Sequence, residues 1–134
     1  MKAKHRPLLL LILGSILFLS SCQVDPDDQV LPIIGVYDGH ITGLSGPFSM
    51  SISASGGDNI FIDAPLDGFD YFVIEADTDD EGDAFLDIDI NRQWIDDISE
   101  IWGDGFYFDG TLQLDYSIRT GNTRYDYQLI ASKY

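Results

Sequence analysis

Phe48-Ser49-Met50-Ser51-Ile52-Ser53-Ala54-Ser55 decides the fold of this chain. Apolar side chains take every second position and serines take the others, a period of two that puts one face in a core and one in water. The same alternation returns in Leu86-Asp87-Ile88-Asp89-Ile90, in Leu112 to Ile118 and in Tyr125 to Leu129, with shorter versions at Ile60 to Ala64 and Phe69 to Ala76. Between these runs stand turn formers: Gly56-Gly57-Asp58-Asn59, Asp67-Gly68, Asp77 to Asp83, Asp109-Gly110 and Thr120-Gly121-Asn122. Links this short join antiparallel neighbours, because a parallel crossover needs a dozen residues or more. The pattern predicts an all-β antiparallel meander of about seven to nine strands, closing into a small up-and-down barrel that leaves no bare edge. A two-sheet β-sandwich is the alternative.

One stretch departs from this period. Trp94, Ile95, Ile98, Ile101 and Trp102 fall at helical spacing, with Asp96, Asp97, Ser99 and Glu100 on the opposite arc. Asn91 would cap such a helix and Gly103 would stop it, so a short helix is predicted around residues 92–102.

The first 22 residues read as an address. Lys2, Lys4 and Arg6 precede an apolar run from Leu8 to Leu19, and Leu19-Ser20-Ser21-Cys22 follows. The run is about a dozen residues, against the roughly 20 that a membrane-spanning helix needs, so it reads as a signal peptide. An ordinary secretory signal beside an incidental thiol is the alternative. Gln23 to Gln29 is acidic and carries Pro26, so 23–32 is expected to be a flexible tether and 33–134 a single β domain.

All 23 acidic residues follow Cys22, together with four of the seven basic ones, so the formal charge of residues 23–134 is −19. Nucleic acid and anionic surfaces are poor partners for such a chain, and cations or basic surfaces are better ones. Aromatic content of 13% and hydrophobic content of 45% argue for a packed core rather than disorder.

The Leu-Ser-Ser-Cys segment resembles the lipobox of bacterial lipoproteins, which implies that Cys22 carries the lipid anchor. The acidic residues after it resemble an export signal of Bacteroidota surface lipoproteins. With Tyr37-Asp38-Gly39, the serine-rich alternation and Gly110-Thr111-Leu112-Gln113-Leu114-Asp115-Tyr116, the layout is similar to the small calycin-like or lipocalin-like outer-membrane lipoproteins of that group. Gly35-Val36-Tyr37 stands where a lipocalin has Gly-x-Trp. The resemblance implies a barrel held at the outer membrane, periplasmic or surface-exposed, and supplies no catalytic residues.

Candidate chemistry is sparse. After Cys22 the only histidine is His40, so the usual His/Cys zinc sites are excluded and a Ser-His-Asp triad has no Gly-x-Ser-x-Gly elbow to join. Asp77, Asp79, Glu81 and Asp83 around Gly82 begin like a calcium loop, but Ile88 stands where the bidentate twelfth ligand belongs. An acidic, solvated hairpin tip is the simpler reading. Trp94, Trp102, Tyr71 and Tyr107 are candidate ligand-binding aromatics, with core packing as the competing role. No cofactor is required, calcium aside. The expected function is a noncatalytic binding or accessory module anchored through Cys22, its partner a protein, a glycan or a small apolar ligand. A calcium-stabilised or glycan-binding surface module is the alternative, and a small hydrolase ranks behind both.

Overall fold

The computed structural model describes residues 25–82 and 85–134. The segment read as a signal peptide, Cys22 and Asp83 lie outside them. Eight antiparallel strands form a closed barrel in sequence order: β1 (Gly35–Ile41), β2 (Ser45–Gly56), β3 (Asn59–Ala64), β4 (Phe72–Gly82), β5 (Phe85–Trp94), β6 (Ser99–Phe108), β7 (Thr111–Thr120) and β8 (Thr123–Lys133). Closure comes from β1 pairing with β8, where Tyr37 faces Lys133 and Ile41 faces Leu129. The predicted barrel is therefore the architecture, and the sandwich is not.

Alternation places the core. Phe48, Met50, Ile52 and Ala54 of β2 turn inward, as do Leu86, Ile88 and Ile90 of β5 and Leu112, Leu114, Tyr116 and Ile118 of β7. A lumen of even one water would leave accessible surface on its lining. Tyr37, Ile60, Ile62, Ile101, Leu112, Leu114 and Leu129 have 0% exposure and no other core side chain exceeds 7%, so the interior leaves no ligand-sized lumen. Gly103 and Gly105 on β6 turn inward opposite Tyr116 and Leu114 and let β6 and β7 approach closely.

Both ends are stoppered. The lower rim carries the β2–β3, β4–β5 and β6–β7 links, and a 3-10 helix at Asp28–Ile33 closes it with Val30 and Ile33 fully buried. Tyr37 Oη donates to the Ile33 carbonyl at 2.5 Å and Lys133 Nζ to the Pro32 carbonyl at 2.6 Å. At the upper rim, Leu66 of the β3–β4 link is fully buried and its carbonyl accepts from Tyr116 Oη at 2.6 Å. Burial pushes both phenols well above the ordinary tyrosine range, so each stays a neutral donor.

Three expectations are corrected. Residues 92–102 are not helical: β5 runs to Trp94, residues 95–98 bend, and β6 starts at Ser99. The bend is an Asx turn in which Asp96 Oδ1 accepts from the backbone N–H of Ile98 at 2.8 Å and Ser99 at 2.7 Å. Those bonds hold the Asp96 carboxyl below its usual range. The proposed tether is largely part of the fold, since Pro26 bridges Gly57 and the helix plugs the rim from Asp28 onward. Asp77 to Glu81 is not a hairpin tip but the second half of β4, which continues to Gly82.

Candidate functional site: an acidic outer wall

Register, rather than any local motif, builds the principal feature of the surface. Asp77 of β4 pairs with Asp89 of β5, Asp89 with Asp104 of β6, and Asp104 with Asp115 of β7. Four outward carboxylates thus lie in one row across four adjacent strands, continued by Asn59 of β3 and Gln128 of β8. Cross-strand neighbours have Cβ atoms about 4.5–5.5 Å apart, and like charges placed there are destabilising. Amides relieve the row only at its ends: Asn91 Nδ2 donates to Asp77 Oδ2 at 2.7 Å, and Gln113 and Gln128 donate to Asp115 at 3.1 and 3.2 Å. Among the described residues no side chain donates to Asp89 or Asp104.

The row borders a groove that Asp58, Asp79, Asp87 and Phe106 also line. Phe106 stacks on Phe85 with ring centroids 5.4 Å apart, giving the acidic wall an apolar shelf toward the lower rim. Near that rim Glu81 shares a hydrogen bond with Asp87, and the charges of Asp87 and Asp79 add to it, so its carboxyl is held above the usual glutamate range.

Toward the upper rim the wall changes sign. Arg92 and Arg119 grip the mostly buried Glu100 carboxylate, each at 3.1 Å, and Arg92 lies 4.0 Å over the Trp102 ring with Arg124 at 5.5 Å. Asp126 accepts from Ser117 Oγ at 2.6 Å and from Arg124 at 2.9 Å, which depresses its carboxyl. Three of the four described lysine and arginine residues are engaged here.

The residues singled out from sequence scatter over this frame. Asp77 lies in the row, Asp79 and Glu81 sit below it on β4, and Asp83 is outside the described residues. A strand cannot wrap them around an ion, and among the described residues no group of three or more His, Cys, Asp or Glu is arranged to hold a metal. Trp102 is half-buried under its arginines, whereas Trp94 is 65% exposed. Tyr71 is exposed with its hydroxyl on the Ser49 carbonyl, and Tyr107 is buried inside the barrel. The four aromatics form no common site. His40 is exposed on β1.

The aspartates that complete the row, Asp89, Asp104 and Asp115, escaped sequence reasoning. Each is one outward acid in an ordinary strand, and only register aligns them. No helix among the described residues is long and apolar enough to cross a membrane. No family model matches the chain, and neither does any curated protein or solved structure.

Proposed function

We propose that this is a noncatalytic accessory module of the bacterial envelope, lipid-anchored through Cys22, that engages a basic partner across its acidic outer wall. The solid interior is the observation that carries this reading: with no lumen, recognition falls to the outside of the barrel. The wall supplies the chemistry. Lysine or arginine side chains laid across Asp77, Asp89, Asp104 and Asp115 would relieve the cross-strand repulsion, and their methylene stems would rest on Phe85 and Phe106. A small apolar ligand of lipocalin type finds no room, and a glycan would have to displace two arginines from Trp102.

The double substitution Asp89→Asn/Asp104→Asn tests this, because it moves stability and binding in opposite directions. Removing two adjacent like charges should stabilise the barrel by about 0.2–1 kcal/mol per relieved pair, raising the melting temperature by a few degrees. The same change should weaken binding of an oligolysine probe in calorimetry at low salt. A melting temperature that falls, together with unchanged oligolysine affinity, would contradict the proposal.

A further inference from the structure

Asp109-Gly110 closes the β6–β7 hairpin as a two-residue link between the paired residues Phe108 and Thr111. Asp109 has a φ of +46° and Gly110 a φ of +83°, the left-handed pair that so tight a turn demands. We infer that this turn is a modification site, where the peptide bond between Asp109 and Gly110 rearranges spontaneously to an isoaspartyl link. The fold holds the chain's other three Asp-Gly pairs, at Asp38, Asp67 and Asp104, against the same reaction.

The rearrangement is intramolecular and uses no co-reactant but water. The Gly110 backbone nitrogen loses its proton and bonds to the side-chain carboxyl carbon of Asp109, and one carboxyl oxygen leaves as water to give a cyclic imide. Water then reopens the ring. Where it breaks the bond from nitrogen to the backbone carbonyl carbon, the chain is left running through the side chain, one methylene longer and unchanged in mass. Glycine favours the attack because no Cβ crowds its nitrogen.

Two conditions decide which pair reacts: the glycine N–H must be unbonded, and the aspartate carboxyl must be free to swing onto it. Among the described residues nothing accepts from the Gly110 N–H and nothing donates to the Asp109 carboxylate, which is exposed. No atom beyond the chain neighbours lies within 4 Å of where a Cβ would stand on Gly110. Lys133 N–H donates to the Gly110 carbonyl at 2.8 Å, but that carbonyl belongs to the next peptide unit. At the β3–β4 link, by contrast, Gly68 N–H donates to the Pro65 carbonyl at 2.9 Å, and Asp67 Oδ1 accepts from the N–H of Phe69 and of Asp70, each at 2.8 Å. Gly39 lies in the ladders with β2 and β8, and Gly105 in those with β5 and β7, so strand pairing holds both. Asp38 also accepts from Tyr134 Oη at 2.6 Å. The added methylene falls in the turn that sets β6 against β7, and with it the step from Asp104 to Asp115.

The test ages the purified protein in neutral buffer, folded in one sample and unfolded in guanidinium chloride in another. Each is digested and read by electron-transfer fragmentation, which separates isoaspartyl from aspartyl peptides of equal mass. In the folded sample isoaspartate should accumulate at position 109 several-fold faster than at 38, 67 or 104, and unfolding should bring the four rates together. A folded sample in which position 109 is no faster than the others would overturn the inference. So would a lead at 109 that persists undiminished in guanidinium chloride, because the cause would then lie in the local sequence and not in the fold.

Discussion

Gly103→Ala is expected to unfold or nearly unfold the protein, a loss of about 3 kcal/mol or more, although alanine is ordinarily the better residue in a strand. Gly103 sits in ordinary strand backbone, so left-handed geometry plays no part. The obstacle is space. A Cβ there would lie 2.3 Å from the Asp115 carbonyl oxygen, 2.5 Å from Tyr116 Cα and 2.7 Å from Tyr116 Cβ. None of these atoms is the far end of a flexible side chain. Relief requires β6 to move off β7, which breaks the register that brings Asp104 beside Asp115 and loosens Tyr116 from Leu66. Gly121 at the β7–β8 turn is the control: its φ of +60° strains an alanine, but nothing lies within 4 Å. That change should cost only about 1 kcal/mol. Urea unfolding of both variants decides the matter, and similar midpoints would show that the β6–β7 seam can yield.

Val30→Ala/Ile33→Ala is expected to cost about 4–6 kcal/mol, a large part of the roughly 5–15 kcal/mol that holds a domain of this size together. Both side chains are fully buried in the lower rim, and they come from a segment whose sequence looks like linker. Truncating them leaves a cavity under the barrel floor that the closed strands cannot collapse to fill. The variant should bind a hydrophobic dye and unfold at much lower denaturant than the parent. A midpoint shift worth less than about 1 kcal/mol would mean that the strands close the rim without the plug.

The strands were readable because each states its own period. Phe48 to Ala54 alternates cleanly, and Asp109-Gly110 and Thr120-Gly121-Asn122 mark turns that the structure keeps. Two local readings misled for definite reasons. Trp94, Ile95, Ile98, Ile101 and Trp102 mimic a helical face because a four-residue bend offsets two strand periods: Ile101 points inward while Trp102 points out. The Asp96-Asp97 pair ahead of Ser99 was the available sign of an Asx turn. The plug was hidden by its acidic preface, although Val30 and Ile33 at i and i+3 are spaced to share one side of a 3-10 helix.

The site was far less legible than the fold. In the sequence Asp77 is one end of an acidic run along the chain, whereas the structure sets it in a row running across the chain. Within each strand an outward aspartate is what any solvated face would carry. Their convergence depends on four registers at once, and those are fixed by inward packing and turn lengths rather than by the aspartates themselves.

Native mass spectrometry of the protein purified from its own cells, against the same sample denatured, bears most directly on the claim that recognition lies outside a solid barrel. The account predicts that no apolar small molecule is lost on denaturation, because residues such as Ile62, Leu114 and Leu129 leave no space to hold one. A loss of several hundred daltons, assigned to a lipid or other apolar compound, would contradict it and return the site to the interior.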